Sequence, residues 1–194
     1  MYKESILNSK VTILGVGHQG LAMAAHLSMN GVECLLWNRT EEHIKSIIES
    51  KQIICLGIID KAVTVRKVSS HIEEVLSKII MVTTPSSAHK DLAKMLAKHV
   101  DDSYTIILNP GRTFGVLDFM KSLRDAGCIR MPCVAETQTI IYTCRREKDN
   151  RVWIYAIKQG IKIAALDFDN SNRALNVLPD CIRNNYSLAT SYLE

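Results

Sequence analysis

The sequence predicts a doubly wound, mostly parallel α/β sheet with an antiparallel C-terminal extension. Three observations carry that reading. Short β-branched runs alternate with helical segments from residue 11 to residue 126, the runs are apolar throughout, and a glycine cluster separates the first run from the first helix. Strands buried on both faces belong to parallel sheets, and alternating strands and helices build right-handed βαβ units.

Each element follows from its residues. Residues 11–16 form an apolar run, β-branched at Val11, Thr12, Ile13 and Val16, that Gly15 and Gly17 bring to a stop. Residues 19–30 favour a helix with Leu21, Ala24, Ala25 and Leu27 on one side, and Gly31 supplies the C-terminal stop. Residues 32–37 read as a second buried strand. Thr40 then caps a helix to Ser50, with Ile44, Ile47 and Ile48 at helical spacing. Residues 53–56 and 62–65 flank Gly57 and Asp60, which predicts two short strands joined by a loop. A short helix over 72–76 precedes a strand at 79–82 that Pro85 closes. Further on come a helix over 86–100, a strand at 104–108 and a helix over 113–126. Beyond Gly127 the pattern changes to strands at 133–135, 140–144 and 152–156, the last two joined by a charged turn at 145–150. A strand at 161–166 and a helix over 172–178, ended by Pro179, complete the chain.

These elements make one domain over 1–194, with βαβ units at about 11–126 and the extension at 127–184. Of the 194 residues 47% are hydrophobic and 23% charged, enough apolar surface for a core and too much for a disordered tail. The formal charge of +4 is small and evenly spread, so neither nucleic acid nor an anionic membrane is an expected partner. No apolar run approaches the roughly 20 residues that span a bilayer. Residues 1–5 carry no secretory signal, and the expectation is a cytoplasmic protein. The six cysteines, Cys34, Cys55, Cys128, Cys133, Cys144 and Cys181, form no CxxC and sit mostly in apolar stretches, so they read as reduced structural thiols and no metal site is expected.

The chemistry lies in the first loop. Gly15-Val16-Gly17-His18-Gln19-Gly20 matches GxGxxG between a predicted strand and a predicted helix, the context that a Rossmann-type dinucleotide site requires. The first glycine permits the tight turn, the second lets the backbone approach a pyrophosphate, and the third lets the helix pack on the strand. Helix N-terminal amides then hold the phosphates. An NAD site usually places Asp or Glu about 20 residues onward to bind the ribose hydroxyls. Here Asn38-Arg39-Thr40 occupies that place, and Arg39 can pair with a 2′-phosphate that a carboxylate would repel. NADP(H) is therefore favoured over NAD(H). Thr83-Thr84-Pro85-Ser86 and Asn109-Pro110-Gly111-Arg112-Thr113 follow later strands, where open α/β sheets bind ligands. The cluster at 145–148 reads as a solvated hairpin turn. His26, His43, His71, His89 and His99 read as ordinary surface or half-buried residues.

The segments GVGHQG, WNRT, VTTPSSAH, LNPGRTFG and VAETQTIIYTCR together resemble the octopine/nopaline dehydrogenase group of opine dehydrogenases, over about residues 11–184. The resemblance implies reductive condensation of an amino acid with a 2-oxo acid, the imine being reduced by a nicotinamide hydride. It places Gly15, Gly17 and Gly20 on the pyrophosphate, Asn38, Arg39 and Thr40 at the adenosine end, and the loops at 83–86 and 109–113 along the rest of the cofactor. Glu136, Thr137, Gln138 and Thr139 would border the nicotinamide or the substrate domain. Members carry a second, mainly helical domain with a His–Asp pair for proton transfer, and that domain is expected to be absent from these 194 residues. The catalytic residues are accordingly expected outside this chain, and the chain alone is expected to turn over little substrate. The expected partners are the two small substrates, with a homodimer as an open arrangement. Two alternatives stand beside this reading: a cofactor domain of the glycerol-3-phosphate or ketopantoate reductase type, and a non-catalytic NAD(P)-sensing protein.

Overall fold

The structure, a computed structural model, describes residues 10–192; the sequence reading of residues 1–5 lies outside them. The chain runs β1 (Lys10–Leu14), α1 (His18–Met29), β2 (Glu33–Trp37), a 3-10 turn at Glu41–His43 and α2 (Lys45–Ser50). There follow β3 (Gln52–Gly57), β4 (Lys61–Thr64), β5 (Lys67–Ser69), β6 (Ile79–Val82), a 3-10 turn at Ser86–Ala88 and α3 (His89–Leu96). β7 (Thr105–Leu108), α4 (Gly115–Asp125), β8 (Cys133–Thr137), β9 (Tyr142–Arg146) and β10 (Arg151–Ile157) come next. β11 (Ile161–Ala165), α5 (Phe168–Asn176), α6 (Asp180–Arg183) and β12 (Tyr186–Leu188) close the described chain.

The main sheet has the order β12-β11-β8-β7-β6-β1-β2-β5. Its six strands from β8 to β5 are parallel, β11 runs antiparallel to β8, and β12 pairs parallel with β11. The chain leaves β1 for β2 on one side and reaches β6 on the other. That reversal puts the topological switch point beside the glycine loop. The mostly parallel doubly wound sheet and its antiparallel C-terminal strands are those expected from the sequence. The strand at Cys133–Thr137 belongs to the parallel series rather than to the extension.

β4, β3, β10 and β9 form a separate four-stranded sheet. It packs on α1, which touches β9, β10, β3 and β4 on one side and β1 and β2 on the other. Gln19 through Leu27 are all buried, so the helix has no solvent face over that stretch. Leu21, Met23 and Leu27 are wholly inaccessible, worth roughly 1.5–3 kcal/mol of transfer free energy each. On the opposite face of the main sheet, α3 and α4 bury Leu92, Leu96, Val116, Phe119 and Leu123 against Leu14, Val82, Ile106 and Leu108.

Several elements differ from expectation. The helix over 40–50 breaks at Ile44 into a 3-10 turn and α2, and Thr40 precedes the turn without a side-chain capping bond. β5 and β12 are three-residue edge strands too short to show a period. α5 begins at Phe168 because Asp167 caps it, its carboxylate accepting the Asn170 amide at 2.8 Å. Pro179 starts α6. His26 and His89 are buried, not surface residues.

Those two buried imidazoles are expected to make stability depend on pH. The Tyr142 hydroxyl lies 3.0 Å from His26 Nδ1, joining α1 to β9, and His89 Nε2 lies 3.3 Å from the Thr84 carbonyl. Burial holds both below the ordinary imidazole pKa of 6.5, against a weaker opposing pull on His89 from the Thr84 carbonyl and Asp118. The unfolded chain therefore binds these protons more readily. Their contribution to stability is present above pH 6.5 and is lost as pH falls through their lower folded values. The thermal midpoint is expected to drop between pH 7.5 and pH 5.5, and Tyr142→Phe to cost about 1–3 kcal/mol by stranding the His26 nitrogen. Calorimetry across that range, with the variant at pH 7.5, checks both.

Candidate functional site

The glycine loop turns between β1 and α1. Gly15 has φ +103°, and its amide donates to the Trp37 carbonyl at 2.8 Å. A Cβ at Gly20 would stand 1.8 Å from the Gly15 carbonyl oxygen, so the helix sits too close to the strand for any side chain there. A Cβ at Gly17 would meet nothing within 4 Å, which leaves open space over the loop. The three glycines thus meet the three demands of a dinucleotide loop.

The helix behind the loop is prepared for an anion. Gly17 is the N-cap of α1, no side chain caps it, and its first turn holds no acidic residue. Its free amides and dipole are therefore open to a phosphate. α4 is the contrast. The Glu136 carboxylate accepts the Val116 amide at 2.9 Å and fits against Gly111 and Gly115, where a Cβ would stand 2.0 and 2.7 Å from Oε2. That helix start is already filled. Burial raises the Glu136 pKa, and the Val116 amide opposes the rise.

Neighbouring loops support the turn. The Val16 amide donates to Asn38 Oδ1 at 3.2 Å, and Asn38 Nδ2 donates to the Thr40 carbonyl at 3.0 Å. Thr83 Oγ1 donates to the Gly15 carbonyl at 2.7 Å. His18 Nδ1 accepts the Arg146 amide at 2.7 Å, so the neutral ring carries its proton on Nε2. Both polar atoms of the Gln19 amide, Thr84 Oγ1 and Asn109 Oδ1 are buried without a hydrogen-bond partner. Orphaned polar atoms in the first turn of α1 and on two strand-end loops, beside an open turn, fit a polar ligand such as a dinucleotide.

The residues expected from sequence fall into two groups. Asn38, Arg39, Thr40, Thr84 and Pro85 line one cavity of about 200 Å³, together with Trp37, Leu92 and Met95. Thr113, Glu136, Thr137 and Gln138 line another of about 410 Å³, with Arg112, Phe114 and Lys162. Arg112 and Phe114 both take positive φ, at 68° and 57°, a strained backbone of the kind that clusters at binding sites. Asn109 turns inward, its Nδ2 donating to the Ile107 carbonyl at 2.8 Å, and neither it nor Pro110 nor Gly111 lines either cavity. Glu136 and Thr137 belong to β8 rather than to a turn. Thr137 Oγ1 is spent on the Leu108 and Thr139 carbonyls, and Thr139 stands outside the cavity with Lys158 Nζ 3.4 Å from its hydroxyl.

Arg146 is the residue sequence reasoning missed. Expected in a solvated turn, it is half-buried, and its guanidinium donates to the carbonyls of Val16 and His43. The thiols take no part: burial pushes Cys34 up to about 12 and Cys55, Cys133, Cys144 and Cys181 up to about 11. Among the described residues no group of three or more His, Cys, Asp or Glu side chains could hold a metal ion, and no helix is long and apolar enough to cross a membrane.

Comparison with known proteins agrees with this geometry. The family described as "NAD-dependent glycerol-3-phosphate dehydrogenase N-terminus" matches residues 10–137. An opine dehydrogenase of Arthrobacter sp. (strain 1C) is 30% identical over 188 residues, 92% of this chain. The match covers 52% of that relative, so the chain spans about half its length. An octopine dehydrogenase in complex with NADH and agmatine shares the fold with a TM-score of 0.72 at 17% identity, over 95% of this chain and 49% of that one. An NADP+-bound yersinopine dehydrogenase gives the same TM-score at 15% identity, over 94% and 47%.

The glycines separate a folding role from a binding role. Gly20→Ala is expected to destabilise by about 1–3 kcal/mol through overpacking against Gly15. Gly17→Ala meets no atom and should keep the wild-type melting temperature while weakening dinucleotide binding. Thermal melts paired with NADPH titrations check the contrast, and an equal loss of stability in both variants would contradict it.

Proposed function

The chain belongs to the family of the NAD-dependent glycerol-3-phosphate dehydrogenase N-terminus, and from that premise we propose that it is the NADP(H)-binding part of an opine-type dehydrogenase. The observation that carries the proposal is the uncapped start of α1 beneath an open Gly17, next to a cavity lined by Arg39. The nicotinamide, when bound, supplies the hydride that reduces the imine of an amino acid and a 2-oxo acid. The chain's own residues bind and orient. Gly17, His18, Gln19 and Gly20 present main-chain amides to the pyrophosphate, while Gly15 and Val16, whose amides are held by the Trp37 carbonyl and Asn38 Oδ1, shape the turn. Asn38 holds the Val16 amide in place and Thr83 fixes the Gly15 carbonyl, so the loop is formed before the ligand arrives.

Arg39 and Thr40 meet the adenosine phosphate, with Thr84 and Pro85 as the floor of that cavity. Glu41, the first acid after β2, accepts the Ser70 hydroxyl at 3.3 Å, and the cavity's one carboxylate is Asp91 of α3. A cation in the place of the usual ribose-binding acid favours a 2′-phosphate. Asn109, Pro110, Gly111 and Thr113 continue the path toward the nicotinamide. The cavity with Glu136, Thr137 and Gln138 borders the place where substrates, or a second domain, would stand. Proton transfer is assigned to residues outside this chain, and the site of action is assigned to the cytoplasm.

The family match favours a second reading, a reductase of the glycerol-3-phosphate type with the same cofactor half. The two differ in substrate number. Only an opine enzyme needs an amino acid together with a 2-oxo acid for NADPH oxidation.

Titration of intrinsic fluorescence with NADPH and NADH tests the cofactor assignment, and failure of both to bind at high micromolar concentration would defeat it. Arg39→Ala should weaken NADPH by roughly tenfold or more, the worth of a charge-assisted bond, and change NADH by less than about threefold. Equal losses would remove the argument for the 2′-phosphate.

A further inference from the structure

Arg146 lies outside every cofactor motif, on the edge strand of the second sheet, yet it reaches the phosphate loop. Its Nη1 donates to the Val16 carbonyl and its Nη2 to the His43 carbonyl at 2.6 Å. Nε and Nη2 also donate to the Asp149 carbonyl, at 3.2 and 2.7 Å. Its backbone amide donates to His18 Nδ1, and the neighbouring Cys144 thiol approaches the His18 carbonyl at 3.4 Å. One side chain thus joins the loop that precedes α1, the turn that follows β2 and its own hairpin.

No carboxylate accepts a hydrogen bond from this residue: among the described residues its guanidinium has only backbone carbonyls as hydrogen-bond partners. The adjacent Glu147 is held elsewhere, by Arg151 at 3.3 Å and by the Trp153 indole at 2.7 Å. Asp149 acts on the half-buried guanidinium through space and Glu42 and Glu49 line the same cavity, but no carboxylate hydrogen-bonds to it, so it stands beside the loop as a cation held by main-chain carbonyls. Four of its five N–H groups are used, which leaves one Nη1 hydrogen beside Val16 for a ligand.

We infer that Arg146 is a positioning residue of the dinucleotide site, fixing the phosphate loop to the adenosine turn and placing a permanent cation beside the bound pyrophosphate. The inference rests on the cofactor reading above and adds to it a residue from a different sheet. A bridge of this kind sets the distance between the two ends of the ligand before binding, so less ordering remains to be done at that moment. A lysine in its place keeps the charge but offers no planar fork for two carbonyls.

The test uses the 194-residue chain with three ligands: NADPH, ADP-ribose and adenosine, the last by ligand-observed NMR and the others by calorimetry. Arg146→Met should weaken ADP-ribose and NADPH about tenfold or more, as for loss of a charged contact, and adenosine less than about twofold. Equal weakening of adenosine and ADP-ribose would mean that Arg146 only maintains the fold, and unchanged ADP-ribose binding would mean that it does nothing at the site; either overturns the inference. Arg146→Lys keeps the cation and guards against a misfolded methionine variant. About threefold weaker ADP-ribose binding supports the bridge, and wild-type affinity overturns it. Failure of the wild-type chain to bind ADP-ribose or NADPH would instead bring down the cofactor reading, and this inference with it.

Discussion

The rest of the structure depends on α1 being enclosed between two sheets. A helix so placed must be apolar or small all round, and from Gln19 to Leu27 it has only Gln19 and His26 as polar side chains. His26 is paired with Tyr142 across the interface with the second sheet. The enclosure also demands close approach on the other side, and Gly20 is the position that yields it. With its backbone fixed against β1 and its flank against β9, the helix presents its N-terminus at one place only. That place is the switch point of the parallel sheet, where the strands diverge and a ligand finds room.

The two helix N-termini at the strand ends illustrate how a fold reserves one site. At α4 a carboxylate from β8 answers the amides, and two glycines make room for it. At α1 no side chain among the described residues does so. Fixed dipoles held open by packing cost nothing further when an anion arrives, which is the advantage of preorganisation over flexible charged side chains. The second sheet adds a cation to this arrangement while its inner face covers the helix. Its edge strand β9 alternates accordingly: Tyr142, Cys144 and Arg146 point toward α1 and the loop, and Thr143 and Arg145 toward solvent.

The alternation of strands and helices up to residue 126 was legible because each element is long enough to display its period. The charge-free sequence of α1 is the signature of burial on two sides, although apolar residues on one side already satisfied the simpler reading. The glycine loop was legible in full, since each glycine answers a local steric demand. Short elements were not: β5 and β12 take three residues each and exist because a neighbouring strand offers its edge. The break at Ile44, where the Glu41–His43 turn meets α2, leaves no mark in the spacing of Ile44, Ile47 and Ile48. Thr40 has the residue type of a cap but makes no capping bond, and it lines the cavity beside Arg39 instead.

Taken alone, the sequence determined the βαβ order, the position of the glycine loop, the absence of an acid at residues 38–40 and the resemblance carried by the later loops. These are local properties, written in spacing and residue type over a few positions. Tertiary structure alone decided that residues 52–64 and 142–157 form a sheet of their own, that it covers α1, and that Arg146 stands 130 positions from Val16 in sequence yet within hydrogen-bond reach of its carbonyl. The pairing of β3 with β10 is parallel and spans about a hundred residues, and no periodicity in either segment names the other. Strand partners are chosen by global burial, and a side chain's charge acquires its role only from the backbone that burial brings beside it.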